Sequence, residues 1–147
     1  MGCDIHFVVE ENDPNTDQWV GIVSTGSALN PVYNAEGAMP ILALKHRNYR
    51  FFALLAGVRG SGPDANGLPP DASLLTQMRA KEWGGDGHSH GHCSLKEFAE
   101  KWVISQFNES EYAQRKLLNT LPTPQSAIGL SADDDLDSYR VCFWFDN

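Results

Sequence analysis

Asp4-Ile5-His6-Phe7-Val8-Val9-Glu10 is the stretch on which the fold turns. Ile5, Phe7 and Val9 alternate with Asp4, His6 and Val8. One side of an extended segment is therefore apolar, and the other carries an acid and an imidazole. This period of two predicts a strand. The stretch Tyr139-Arg140-Val141-Cys142-Phe143-Trp144-Phe145 has the same character, with Val141, Phe143 and Phe145 on one side and Arg140, Cys142 and Trp144 on the other. A turn cluster at Asn12-Asp13-Pro14-Asn15 follows the first strand. A second strand over Gln18–Ser24 carries Trp19, Val20, Ile22 and Val23, and the short link predicts an antiparallel hairpin.

Between these strands the pattern changes. Residues 25–40 read as a loop held down by Tyr33 and Met39, and residues 61–70 as a second loop of Gly and Pro. A buried helix is predicted within residues 41–56. Phe51, Leu54, Leu55 and Val58 form one apolar side, Tyr49, Phe52, Ala53 and Ala56 another, and Gly57 is the stop. Asp71 is read as the cap of a short helix reaching Trp83, with Leu74, Leu75 and Met78 inward and Gly84-Gly85-Asp86-Gly87 at its end. Ser94 and Glu97 form a capping box for a third helix with an apolar stripe of Leu95, Phe98, Ala99 and Trp102. A further short helix is read over residues 109–118 and a linker over 122–130. Strands at both ends with helices between them predict one α+β domain over residues 1–147. Its small antiparallel sheet includes the N- and C-terminal strands and packs with three to four helices.

Composition narrows the function classes. The 147 residues are 41% hydrophobic and 20% charged, as in an ordinary globular domain, and the formal net charge is −8. Such an acidic chain disfavours nonspecific nucleic-acid binding. Three cysteines, Cys3, Cys93 and Cys142, with no leader segment argue against a disulfide framework. No apolar run approaches the ~20 residues of a transmembrane helix, so no membrane association is expected. His6 stands where a myristoylation signal wants Ser or Thr, so Met1-Gly2-Cys3 is not read as a lipidation site.

Four groups of residues could carry chemistry. His88-Ser89-His90-Gly91-His92-Cys93 offers imidazoles and a thiol, which are ligands for zinc, nickel or copper; in an extended chain His88, His90 and His92 would point one way. Otherwise this is a His-rich loop with no resident ion. On the first strand, Asp4 and His6 share a face, as in a site or at a plain polar sheet edge. Lys45, His46, Arg47, Asn48, Arg50 and Arg59 could grip a phosphate or carboxylate through Arg47 and Arg59, or simply be solvated. Asp133, Asp135 and Asp137 have the spacing of a calcium-loop opening, but the Gly and distal Glu of that loop are missing.

The blocks Met1-Gly2-Cys3-Asp4-Ile5-His6, Arg47-Asn48-Tyr49, Leu55-Ala56-Gly57-Val58-Arg59, Asp86-Gly87-His88-Ser89 and Phe143-Trp144-Phe145-Asp146-Asn147 resemble a family of small tailed-bacteriophage and prophage proteins. The resemblance implies a cytoplasmic protein of an infected bacterium and no particular activity. Its blocks contain Asp4, His6, Asp86 and His88. They do not require His90, His92 or Cys93, which with Cys3 become second-tier ligands.

Three functions are expected on this basis. In the first, Asp4, His6, Asp86 and His88 hold zinc or manganese or move protons, and Arg47 or Arg59 holds a phosphoester or nucleotide for hydrolysis. In the second, an acidic non-enzymatic protein inhibits a host factor by charge complementarity. In the third, Arg47, Arg59 and an aromatic such as Trp83 or Trp144 bind a small anionic ligand without turnover.

Overall fold

The computed structural model describes residues 2–24, 47–105, 110 and 136–146. The readings made for Tyr33, Met39, Lys45, His46, residues 109–118 as a helix (Ser110 alone is described), residues 122–130 and Asp133-Asp134-Asp135 lie outside the described residues.

Strand β1 (Asp4–Asp13) turns back into β2 (Gln18–Ser24). Helices α1 (Tyr49–Ala56) and α2 (Leu74–Trp83) follow, then β3 (His88–Ser94), α3 (Leu95–Ser105) and β4 (Tyr139–Asp146). The strands form one antiparallel sheet in the order β2-β1-β4-β3, with the first and last strands paired at its centre. The predicted α+β architecture, with both end strands in one sheet, is the one observed. Ile5 lies opposite Phe145, Phe7 opposite Phe143 and Val9 opposite Val141, so the two apolar alternations meet on one face.

That face carries the hydrophobic core. Phe51, Phe52 and Leu55 of α1 and Leu95, Phe98 and Ala99 of α3 bury against Ile5, Phe7, Val9, Val141, Phe143 and Phe145. The Phe98 ring centre lies 5.4 Å from that of Phe7 and 5.0 Å from that of Phe51, in the tilted and edge-on contacts aromatic rings prefer. Asn48 caps α1 by accepting from the Phe51 amide at 3.0 Å. Gly57 ends it in the left-handed region at φ 66°, as expected of the stop signal.

Helix α2 covers the opposite face, and here the structure corrects the sequence reading. The cap is Ser73, whose hydroxyl accepts from the Thr76 amide, and Asp71 instead accepts from Arg140 Nη1 at 2.8 Å. Leu74 and Met78 point outward, with 72% and 55% exposure, while Thr76 is buried. The reason is the surface beneath. Glu10 is wholly buried there and accepts from Ser73 N (2.6 Å), Thr76 Oγ1 (2.7 Å), Arg140 Nε (2.6 Å) and Cys142 Sγ (3.3 Å). A buried carboxylate must be hydrogen-bonded, so α2 turns Thr76 toward Glu10 and leaves Leu74 and Met78 outside, while Leu75 packs inward as expected, its Cβ 2.7 Å from where a Cβ on Gly21 would stand.

Strand β3 decides between the two readings of the His-rich stretch, an extended chain or a loop, in favour of the extended chain. Gly91 allows it: a Cβ there would lie 2.6 Å from Phe143 Cζ. The outer side of β3 is closed by a side chain. The Asn66 amide accepts from His92 N (2.9 Å) and donates to His92 O (3.0 Å), while Gly67 N donates to His90 O (2.8 Å). Asn66 thereby imitates a neighbouring strand and protects that edge.

Candidate functional site

The start of β1, the end of β4 and the end of α2 meet at one corner. Asp4 pairs with Asp146 across the sheet, and His6 with Trp144. The Asp146 carboxylate accepts from the Asp4 amide at 3.1 Å and stands 3.6 Å from His6 Nε2. Trp83, the last residue of α2, lies over His6 with ring centres 4.0 Å apart, and Trp144 lies beside it at 6.2 Å. Burial pushes the His6 imidazole below its ordinary value, and the neighbouring Asp146 only partly offsets this.

Two arginines border the corner. Arg47 makes a two-pronged ion pair with Asp4, Nε to Oδ1 at 2.9 Å and Nη2 to Oδ2 at 3.3 Å, with both side chains about half exposed. This pairing holds the Asp4 carboxyl below the usual range. Arg59 sits just past α1 in the left-handed region, φ 59°, with its guanidinium 5.5 Å from the centre of the Tyr49 ring. The Tyr49 hydroxyl in turn accepts from the Cys3 amide at 3.3 Å. Burial raises the Cys3 thiol, and the charge on Arg59 acts the other way. Arg47 thus balances Asp4 on a chain of net charge −8.

Asp4, His6 and Arg47 thus come together, and Asp146, Trp83 and Trp144 complete the group. The glycine-flanked bend reaches this corner through Gly87, where a Cβ would lie 3.3 Å from Trp83 Cβ, 3.4 Å from Trp144 Cδ1 and 3.5 Å from His90 Nε2, but not through Asp86 or His88. Asp86 is exposed in a 3-10 turn (Gly84–Asp86) after α2. His88 lies opposite Phe145, the same residue that Ile5 faces from the other side, so β4 separates β1 from β3. A bulge between His88 and Gly91, with Ser89 at φ 53°, breaks the alternation expected of the three histidines. His88 Nδ1 is 3.0 Å from Ser89 Oγ, the His90 ring stacks 6.1 Å from Trp144, and His92 Nδ1 is 2.8 Å from Gly67 O. His90 is held below its ordinary value by burial and by His88. Cys93 lines a cavity of about 140 Å³ with Asp64, Asn66, Glu97 and Lys101, and burial lifts its thiol to about 12. Among the described residues no three His, Cys, Asp or Glu side chains gather closely enough to hold a metal ion. The residues present therefore do not form the Asp/His metal centre expected from the sequence.

What the corner does hold is an unsatisfied donor. Trp144 Nε1 is buried without a hydrogen-bond partner, and His6 Nε2 beside it on the neighbouring strand has only the Asp146 carboxylate at 3.6 Å, beyond hydrogen-bond length. Buried polar groups are nearly always paired, so the Trp144 N–H in particular calls for an acceptor. Asp146 was missed in the sequence. Its signal was there, since continuing the alternation Arg140, Cys142, Trp144 by one step reaches it. No described helix is long and apolar enough to cross a membrane. No family model matches this chain, and no curated protein or solved structure is similar to it.

Proposed function

We propose that the protein is a non-enzymatic binding protein for a small anionic ligand of the nucleotide kind, acting in the cytoplasm of a phage-infected bacterium. The observation that carries this reading is the buried Trp144 Nε1, which has no hydrogen-bond partner, beside His6 Nε2, which has only Asp146 at 3.6 Å. Leaving a buried donor unpaired costs about 1–3 kcal/mol, which a ligand carboxylate or phosphate oxygen would recover. Trp83 supplies an aromatic face beside them, and the half-exposed Arg47 a guanidinium suited to an anion. The arrangement offers donors and a flat surface, which suits capture better than bond cleavage.

The test is a thermal-shift and calorimetric screen of mono-, di- and triphosphate nucleotides on untagged protein. At a ligand concentration of 100 Kd, stabilisation of about 2.7 kcal/mol is expected. Trp144→Phe, which keeps the ring and removes the N–H, and Arg47→Gln should each weaken it. Product formation by the wild-type protein would replace this reading with the hydrolase. One equivalent of zinc or manganese, lost in Asp4→Ala and His88→Ala, would restore the metal centre that the geometry does not support. A screen with no shift for any anion ends the proposal.

A further inference from the structure

Trp144 has an imidazole on each flank, and the two flanks are not equivalent. Trp144 itself lies on the inner strand β4 and is 1% exposed. On β1 the His6 ring centre is 6.2 Å from that of Trp144, and on β3 the His90 ring centre is 6.1 Å away, both rings roughly stacked on the indole. The His6 flank already holds an acid. Asp146 stands 3.6 Å from His6 Nε2, and Asp4 and Arg79 also act on that ring. The His90 flank differs. Among the described residues only His88, on the same strand, acts electrostatically on the His90 ring. Trp144 and Trp83 carry no charge, and Asp86, just before Gly87, is exposed. Gly87 shows where this flank converges. The point where its Cβ would stand is 3.4 Å from Trp144 Cδ1, the carbon bonded to Nε1, and 3.5 Å from His90 Nε2. The N–H edge of the indole and a nitrogen of His90 thus approach the same spot.

We infer that the anion lies on the His90 side of Trp144, where His90 Nε2 shares it with the indole N–H and takes up a proton as it binds. This inference rests on the anion site proposed above and adds its charged partner. A phosphate or carboxylate oxygen beside His6 would meet the Asp146 charge at close range and be repelled. Beside His90 it meets a half-buried imidazole that can become a cation. Burial keeps the free imidazole below its ordinary value, and an adjacent negative charge favours the protonated form. Anion and proton therefore arrive together, and the proton offsets charge brought onto a chain already at −8. Affinity rises as pH falls, then levels off below the folded value of free His90.

The probe is a cyclic purine mononucleotide, a phosphodiester whose own charge stays constant across the range used. It is titrated by calorimetry into untagged full-length protein between about pH 5.5 and about pH 8.5, where histidine changes charge. Repeating each titration in two buffers of different ionisation heat counts the protons taken up. Uptake approaching one proton per nucleotide is expected, with affinity rising about tenfold or more on acidification. His90→Gln keeps an N–H donor but cannot take the charge, so it should abolish both effects. Trp144→Phe should weaken binding at every pH. The proton count of the wild-type protein decides the matter even where a variant does not fold. Binding without proton uptake, or uptake that survives in His90→Gln, overturns the inference and leaves the anion site standing. No binding of this nucleotide at any pH also overturns it, and the anion site falls too only where the wider nucleotide screen is blank.

Discussion

Arg140 Nε donates to Glu10 Oε1 over 2.6 Å, and this ion pair lies almost wholly out of water between the sheet and α2. The Arg140 guanidinium also lies 4.1 Å from the centre of the Trp19 ring and bonds both the carboxylate and the carbonyl of Asp71. Glu10 therefore fastens α2 to the sheet, and Arg140 fastens the loop before α2. Removing one partner strands the other. Arg140→Met is expected to cost about 3–5 kcal/mol in urea unfolding. A loss below about 1 kcal/mol would mean that the pair contributes little.

Acid should weaken the fold in two stages. His6 and His90 are both held below the ordinary 6.5 by burial. A depressed histidine contributes stability that is fully present above 6.5 and is lost as pH falls through its folded value. Burial alone would raise Glu10, but the hydrogen bonds from Ser73, Thr76 and Arg140 outweigh it and leave the carboxyl below its ordinary 4.5. Its contribution is present above 4.5 and lost below. Urea midpoints should fall first below pH 6.5 and again below pH 4.5. His6→Gln should reduce the first step and leave the second.

All three thiols should resist alkylation at pH 8 in the native state. Burial raises Cys3, Cys93 and Cys142, with Cys93 reaching about 12, and thiolate is the reactive form. Ellman titration should therefore be slow until denaturant is added, and fast labelling of Cys93 would contradict its assigned surroundings.

On α2 the inward and outward positions should respond in the opposite sense to a simple hydrophobic pattern. Leu74→Gln and Met78→Gln are expected within about 0.5 kcal/mol of wild type, because both side chains face solvent. Thr76→Val removes a donor to the buried Glu10 carboxylate and should cost about 1–3 kcal/mol. Thermal melts of the three variants decide it.

Asn66→Ala should open one side of the sheet without emptying the core. The His92 amide would lose its acceptor and its carbonyl a donor. Hydrogen exchange at His92 should accelerate well beyond that of the β1–β4 amides.

The fold was legible where a local pattern sufficed. The period of two in β1 and β4 and the Ser94-led stripe of α3 each state their own burial. Helix α2 was not legible in this way. Leu74 and Met78 look like core by spacing, and what turns them outward is Glu10, which lies far away in the sequence and comes near only after folding. The β3 segment was obscure for another reason. His, Ser and Gly have no preference for strands, and the segment is extended because β4 holds one side and Asn66 the other. At the site, Asp4 and His6 were visible as neighbours on a strand face. Asp146 became visible only through the pairing of the termini, and the bulge at Ser89 that disperses His88, His90 and His92 leaves no trace in their spacing.

The sheet is gripped by unlike materials on its two sides, aromatic rings under α1 and α3 and a charged hydrogen-bonded layer under α2. Contact between apolar groups loses strength in the cold. The penalty for keeping ions dry shrinks as temperature rises. Chilling therefore slackens the side of Phe98 and makes the dry ions under α2 costlier to hold, so cold loosens both faces of the sheet together.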